Sequence, residues 1–159
     1  MIKKGEGEGL VVVAESQKRG KGKPGSSWFS PPGSVYISAV IKPYKNPKEL
    51  APITLLGALA ARAMIAKVAK LGAVIKWPND LRLCGRKVGG VLTERMASGH
   101  LIIGIGINVN VGRSAFPEKL KEQSTSLQIE TGRAFPLPKC TATLMRELDR
   151  EYLAYLAKV

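Results

Sequence analysis

Two stretches of the chain carry residue types that could do chemistry. Residues 18–25 read Lys-Arg-Gly-Lys-Gly-Lys-Pro-Gly, and residues 76–80 read Lys-Trp-Pro-Asn-Asp. Glycines let backbone N–H groups approach an anion, and the cations of the first stretch supply opposite charge. The second stretch puts Lys76 at the end of an apolar run that Pro78 then stops. A lysine at such an edge can aim its ammonium into a cleft while its stem packs on apolar neighbours. It would there stabilise charge developing on a phosphoryl or carboxylate oxygen. Together the stretches suggest an enzyme that activates a small molecule with a nucleoside triphosphate. The bland alternatives are a solvated surface loop and a lysine with no partner.

The glycine loop lacks the spacing of a Walker sequence and opens no clear helix. It joins two strands instead, and its alternation at 20–23 can turn Lys21 and Lys23 to one side while Gly22 exposes its amide. Two other segments, 88–92 (Val-Gly-Gly-Val-Leu) and 104–110 (Gly-Ile-Gly-Ile-Asn-Val-Asn), place glycines inside strands. Such glycines mark either a ligand lying against backbone or a β-bulge. Asn108 is a candidate reader of a base edge, whereas Asn79 and Asp80 also suit a plain turn. Cys84 and Cys140 have no metal-ligand spacing, and His100 follows a Ser98-Gly99 turn, where solvation is the expectation.

The elements that must position these residues follow from pattern. Segment 9–15 reads as a buried strand leading into the glycine loop, and 35–41 as a mostly buried strand. Asn46-Pro47 opens the longest helix, which Gly72 ends. Residues 73–77 form a short strand lying inside the sheet. A hairpin follows, with 81–83 and 86–94 joined at Cys84-Gly85, and then a strand over 100–109. Residues 112–135 are loop-rich with Ser124-Thr125-Ser126 as a cap, and 136–158 form a helix with a Leu144, Leu148, Tyr152, Tyr155 stripe. This order predicts one α+β domain over 1–159, a mainly antiparallel mixed sheet with helices packed on one face.

The chain has 25 Lys+Arg against 12 Asp+Glu, a formal charge of +13. Anionic partners suit that field, and so does a mere solubility surface. No recognition helix or aromatic-basic array accompanies the charge, so nucleic-acid binding ranks last. Segment 1–9 is polar, and Arg62, Lys67 and Lys70 interrupt the most apolar stretch, which argues against a leader or membrane span. A cytoplasmic, reducing setting is the expectation.

Taken in order, these segments closely resemble the biotin protein ligases. The matching residues are Val12-Val13-Ala14-Glu15 with Gln17, the loop 20–25, and Trp28-Phe29-Ser30-Pro31. The match continues through 76–81, through 87–92 (Lys-Val-Gly-Gly-Val-Leu) and through 104–108 (Gly-Ile-Gly-Ile-Asn). The resemblance implies a fold like that of class II synthetases and lipoate ligases. It implies biotin and ATP as substrates with Mg2+, a biotinyl-5′-adenylate intermediate, and transfer to a lysine of a biotin carboxyl-carrier protein domain. By position, biotin would meet Gln17, Gly20, Lys21, Gly22, Lys23, Lys76, Gly89 and Gly90. ATP or the adenylate would meet Lys21, Gly22, Lys23, Gly25, Trp28, Asn79, Lys87 and Asn108. Lys76 would be the main electrophilic catalyst, and the metal ligands are left unassigned.

The chain departs from the family's pattern in three places. Lys21, Lys23, Pro24 and Ser26 stand where arginines are usual, which keeps charge but loses fork geometry. The usual Ser-Thr-Asn segment would fall before Met1, implying a truncated start, a wall supplied by a partner chain, or weak biotin binding. Neither the family's C-terminal β-barrel nor an N-terminal DNA-binding region is expected here. A lipoate or octanoate ligase or transferase of the same fold is the competing enzyme. A non-catalytic or partner-dependent biotin-binding subunit is the competing non-enzyme. Open sheet edges also favour a homodimer.

Overall fold

The structure is a computed structural model that describes residues 7–43 and 47–158. Six strands form one sheet in the order β1-β2-β6-β5-β4-β3, every neighbouring pair antiparallel. They are β1 (Val11–Ala14), β2 (Val35–Ile41), β3 (Val74–Lys76), β4 (Asp80–Leu83), β5 (Arg86–Arg95) and β6 (Leu101–Ile107). The long helices are α1 (Ala51–Ala69) and α4 (Leu137–Leu156), with short α2 (Glu118–Lys121) and α3 (Leu127–Thr131) between β6 and α4. The antiparallel α+β architecture is the one expected.

Strand periodicity divides the sheet into two faces with different work. On one face β2 and β6 set Val35 against Ile107, Ile37 against Ile105, Ala39 against Ile103 and Ile41 against Leu101. All of these are buried under the helices, with Leu81, Leu83 and Val91 of the neighbouring strands. Helix α1 lies between that face and α4, so it is apolar around most of its circumference. Gly57 lets it approach closely, because a Cβ there would stand 2.8 Å from Val91 Cγ1. Lys67 and Glu147 form an ion pair that ties α1 to α4, and Arg150 Nη1 reaches the other Glu147 oxygen at 2.9 Å. Among the described residues α1 is the one helix long and apolar enough to cross a membrane, but Ile53, Ala58, Ala60, Ala61, Met64 and Ile65 are fully buried inside the fold.

Several expectations need correction. Strand β1 is an edge strand with one neighbour, and Val12 and Val13 are more than half exposed. Strand β3 is the opposite edge, leaving Val74 67 % exposed rather than inside the sheet. Helix α1 begins at Ala51 with Pro52 in its first turn, and Lys70 rather than Gly72 takes the left-handed terminal conformation, its N–H donating to the Ala66 carbonyl. The expected cap Asn46 lies outside the described residues. His100 is buried, with Ser98 Oγ 2.9 Å from Nδ1, not solvated. The Cys84-Gly85 turn formed as expected, with positive φ at both residues, as a two-residue hairpin of this type needs. Ser126 caps α3 by accepting from the Ile129 N–H at 3.1 Å.

Candidate active site

The second face of the sheet carries small side chains where the first carries large ones. Ala14 of β1, Ser38 of β2, Gly104 and Gly106 of β6 and Gly90 of β5 leave a shallow floor, walled by Val12, Tyr36 and Leu92. Above it is a cleft of about 560 Å³, a size suited to a small molecule. Only small side chains rise from such a floor, so a flat group can lie close to its backbone.

The glycine loop forms one wall, and its sequence explains its shape. Lys23-Pro24-Gly25-Ser26 is a type II turn, with proline second, glycine third at φ +81 and the Ser26 N–H donating to the Lys23 carbonyl at 2.8 Å. The Gly22 N–H donates to the Ser26 carbonyl at 3.1 Å. That amide is therefore used within the loop and not offered to an anion, contrary to expectation. At the root, the Trp28 N–H donates to the Gly20 carbonyl at 2.8 Å, and a Cβ on residue 20 would collide with the Trp28 carbonyl oxygen. Gln17 Nε2 donates to Ser30 Oγ at 3.0 Å. The loop thus contributes charge more than amides.

Trp28 lies on the glycines of the floor. A Cβ on Gly106 would stand 2.6 Å from its Nε1, and one on Gly90 3.2 Å from Cζ3. That Nε1 is buried with no hydrogen-bond partner. Lys87 Nζ sits 5.1 Å from the ring centroid and 2.8 Å from Asp80 Oδ1. Its backbone is fixed as well, since its N–H donates to the Gln123 carbonyl and its carbonyl accepts from Thr125 N–H. At the other end Lys21 Nζ meets Glu94 Oε1 at 3.4 Å, a pair that joins the loop to β5 across the cleft. Both partners are largely exposed, so that contact is weak and easily exchanged. Tyr36 closes the floor, its hydroxyl donating to the Pro31 carbonyl at 2.8 Å and pushed up in pKa by burial.

Of the residues singled out from sequence, the cleft brings together Gln17, Lys21, Gly22, Lys23, Trp28, Asn79, Lys87 and Gly90. It does not bring in Gly20, Gly25, Lys76, Gly89 or Asn108. Lys76 is exposed at the end of β3, just before a cis Trp77–Pro78 bond, and is not part of the cleft lining. Gly89 faces the helix side, towards Leu81 and Ile107. Asn108 is buried and donates from Nδ2 to the Thr125 carbonyl at 3.0 Å, holding the 123–127 segment against β6 rather than facing a base. Sequence reasoning counted Arg19 among the loop cations without giving it a contact, missed Ser38 and Glu94, and took Asp80 for a turn residue. The period-two pattern of small residues on β2, β5 and β6 was the available signal for the floor.

The chain is thus an α+β domain whose antiparallel sheet presents a floor of small residues to a cationic loop across a cleft. Residues 3–110 match the biotin/lipoate A/B protein ligase family, and the chain belongs to that family. It is 34 % identical to the bifunctional ligase/repressor BirA of Bacillus subtilis, over 94 % of this chain and 47 % of that protein. It is 30 % identical to a biotin–[acetyl-CoA-carboxylase] ligase of Mycobacterium tuberculosis, over 93 % and 56 % respectively. Among solved structures, the biotin protein ligase of Aquifex aeolicus in complex with biotin and ATP superposes with a TM-score of 0.85 at 30 % identity, covering 93 % of this chain and 62 % of that one. The chain spans about half the length of the curated relatives it matches.

Proposed function

We propose that this chain activates biotin with ATP and passes it to a lysine of a biotin carboxyl-carrier protein domain. The observation that carries the reading is the joining, in one cleft, of a floor of small residues with the ammonium groups of Lys21, Lys23 and Lys87. The floor suits a flat, largely apolar ring, and the cations suit a carboxylate and a triphosphate brought together. A biotin carboxylate oxygen attacks the α-phosphorus of ATP. The bond from that phosphorus to the bridging oxygen breaks, and pyrophosphate leaves with the electron pair. A carrier lysine, as free amine, then attacks the acyl carbon. AMP leaves with the electrons of the acyl–oxygen bond, and the amine gives up its proton.

Both steps depend mainly on positioning and charge stabilisation. Lys87 is the residue assigned to the reacting oxygens, because Asp80, Trp28 and the 123–125 backbone hold it in place. Lys76 is assigned a role at the rim. Trp28 and Asn79 border the nucleotide, and Gln17 and Gly90 the biotin ring. Among the described residues no group of three or more metal-ligating side chains occurs. Mg2+ would be carried to the cleft by the triphosphate oxygens. The open edge of β1, beside the cleft, is where a second copy or a partner segment would pair. A cytosolic setting fits the two free cysteines.

The test is exchange of labelled pyrophosphate into ATP by the purified chain. Exchange that requires biotin and does not respond to lipoate is expected. No exchange from a folded sample would defeat the proposal for this chain alone.

A further inference from the structure

Arg19 counts among the cations of the 18–25 loop but was assigned no contact of its own, and it lines the cleft as the only arginine among the described lining residues. Four cations and two carboxylates line that space: Arg19, Lys21, Lys23 and Lys87 against Asp80 and Glu94. The carboxylates engage Lys87 and Lys21. Among the described residues the side chains of Arg19 and Lys23 make no hydrogen bond or ion pair. The two differ in their anchoring. Lys23 opens the turn at the loop tip, whereas Arg19 stands at the root between two fixed neighbours. On one side the Gln17 N–H donates to the Ser30 carbonyl at 3.1 Å, and on the other the Gly20 carbonyl accepts from Trp28 N–H.

We infer that Arg19 is the phosphate-gripping residue of this cleft, its guanidinium taking two oxygens of a nucleoside triphosphate's phosphate chain. This deepens the reading above but can be tested apart from it. A lysine presents a point charge, whereas a guanidinium presents two parallel N–H donors that match two phosphate oxygens. The other cations lining the cleft are lysines, so Arg19 is the group in the lining able to form that fork. A polyanion also feels the loss of one charge more than a monoanionic carboxylate does, because the charged lining groups leave a net excess of only two. The site thus divides its labour, Arg19 holding the phosphate chain and Lys87 the reacting oxygens.

The experiment is calorimetric titration of the full chain with inorganic triphosphate, for the unaltered protein, Arg19→Gln and Arg19→Lys. Arg19→Gln is expected to weaken binding about tenfold to a hundredfold. Arg19→Lys is expected to recover less than half of that loss on a logarithmic scale, while biotin affinity moves less than about twofold in either variant. The side chain is exposed, so equal thermal midpoints are expected for all three proteins. Unchanged triphosphate affinity in Arg19→Gln, full retention in Arg19→Lys, or no triphosphate binding by the unaltered protein would each overturn the inference. Failure of biotin-dependent exchange with the Arg19 dependence intact would sink only the ligase reading.

Discussion

The contact between Trp28 and Gly106 links the loop to the floor, and replacing Gly106 with alanine tests it. A Cβ there would stand 2.6 Å from Nε1, 2.9 Å from Cε2 and 3.3 Å from Cζ2 of the tryptophan. Ordinary contact needs the ring to withdraw by roughly 1 Å, and an overpacked contact of this kind costs about 1–3 kcal/mol. Alanine in a strand is itself more favourable than glycine by about 0.5–1 kcal/mol, since it has less backbone freedom to lose. With Trp28 present the sum is a net loss of about 1 kcal/mol. With Trp28→Ala in the same chain, the collision is gone and the substitution becomes stabilising. The double-mutant cycle is therefore expected to give a coupling of about 1–3 kcal/mol.

Urea unfolding reads this directly. At a slope of about 2 kcal/mol/M, the coupling separates the two effects of Gly106→Ala by about 0.5–1.5 M in midpoint. Tryptophan emission supplies a second reading, because Trp77 is 67 % exposed and Trp28 is not. Acrylamide should reach Trp28 more readily in Gly106→Ala. Equal midpoint shifts in the two backgrounds would show that the ring does not rest on Gly106 in solution. The account of the floor would then be wrong at its centre.

Lys87→Ala is expected to lower pyrophosphate exchange at least about a hundredfold, and Lys76→Ala by clearly less; rate assays in which Lys76→Ala is the more damaging would return the principal charge to the edge strand. Glu147 is held below the usual carboxylate range, first by the hydrogen bond from Lys67, with Arg150 adding to it against burial. Its folded pKa being lowered, its contribution to stability is present above the unfolded value near about 4.3 and is lost as pH falls through the folded value. Glu147→Gln should therefore flatten the acid limb of stability against pH, as read by denaturant midpoints. The Cys84 thiol is pushed up, first by its hydrogen bond to Glu130, then by that carboxylate's charge. Glu130→Gln should speed its alkylation by iodoacetamide at neutral pH, and an unchanged rate would remove that contact.

The readable parts of this chain were those where local physics and tertiary context agree. Strand β2 was bounded correctly because its β-branched run needs burial on both faces, which a central strand provides. The runs at 11–13 and 73–75 look equally apolar, yet they lie on the two edges. Nothing local distinguishes an edge from a centre, because strand order is set by pairing between residues far apart. The end of α1 misled for a related reason. Gly72 is the better intrinsic terminator, but Lys70 adopts the left-handed conformation and ends the helix before it.

The site shows the same division. The glycine loop and the Gly89-Gly90 pair were visible as compositional oddities, but which glycine faces the ligand is decided by pleat. Gly90 and Gly106 face one another on the cleft side, while Gly89 faces the core. Charge was the hardest feature to place, since a chain carrying +13 offers many candidate cations. Lys76 and Lys87 differ little as sequence. They differ in that Asp80 lies across from Lys76 in the β3–β4 ladder, yet accepts from the ammonium of Lys87. A bulge between Leu81 and Arg82 shifts β4 against β5, pairing Arg82 with Lys87 and Leu81 with Gly89. That shift puts Lys87 and Gly90 on the same side as Asp80, so a single extra residue in one strand brings the cation, its carboxylate and the glycine floor into one cleft.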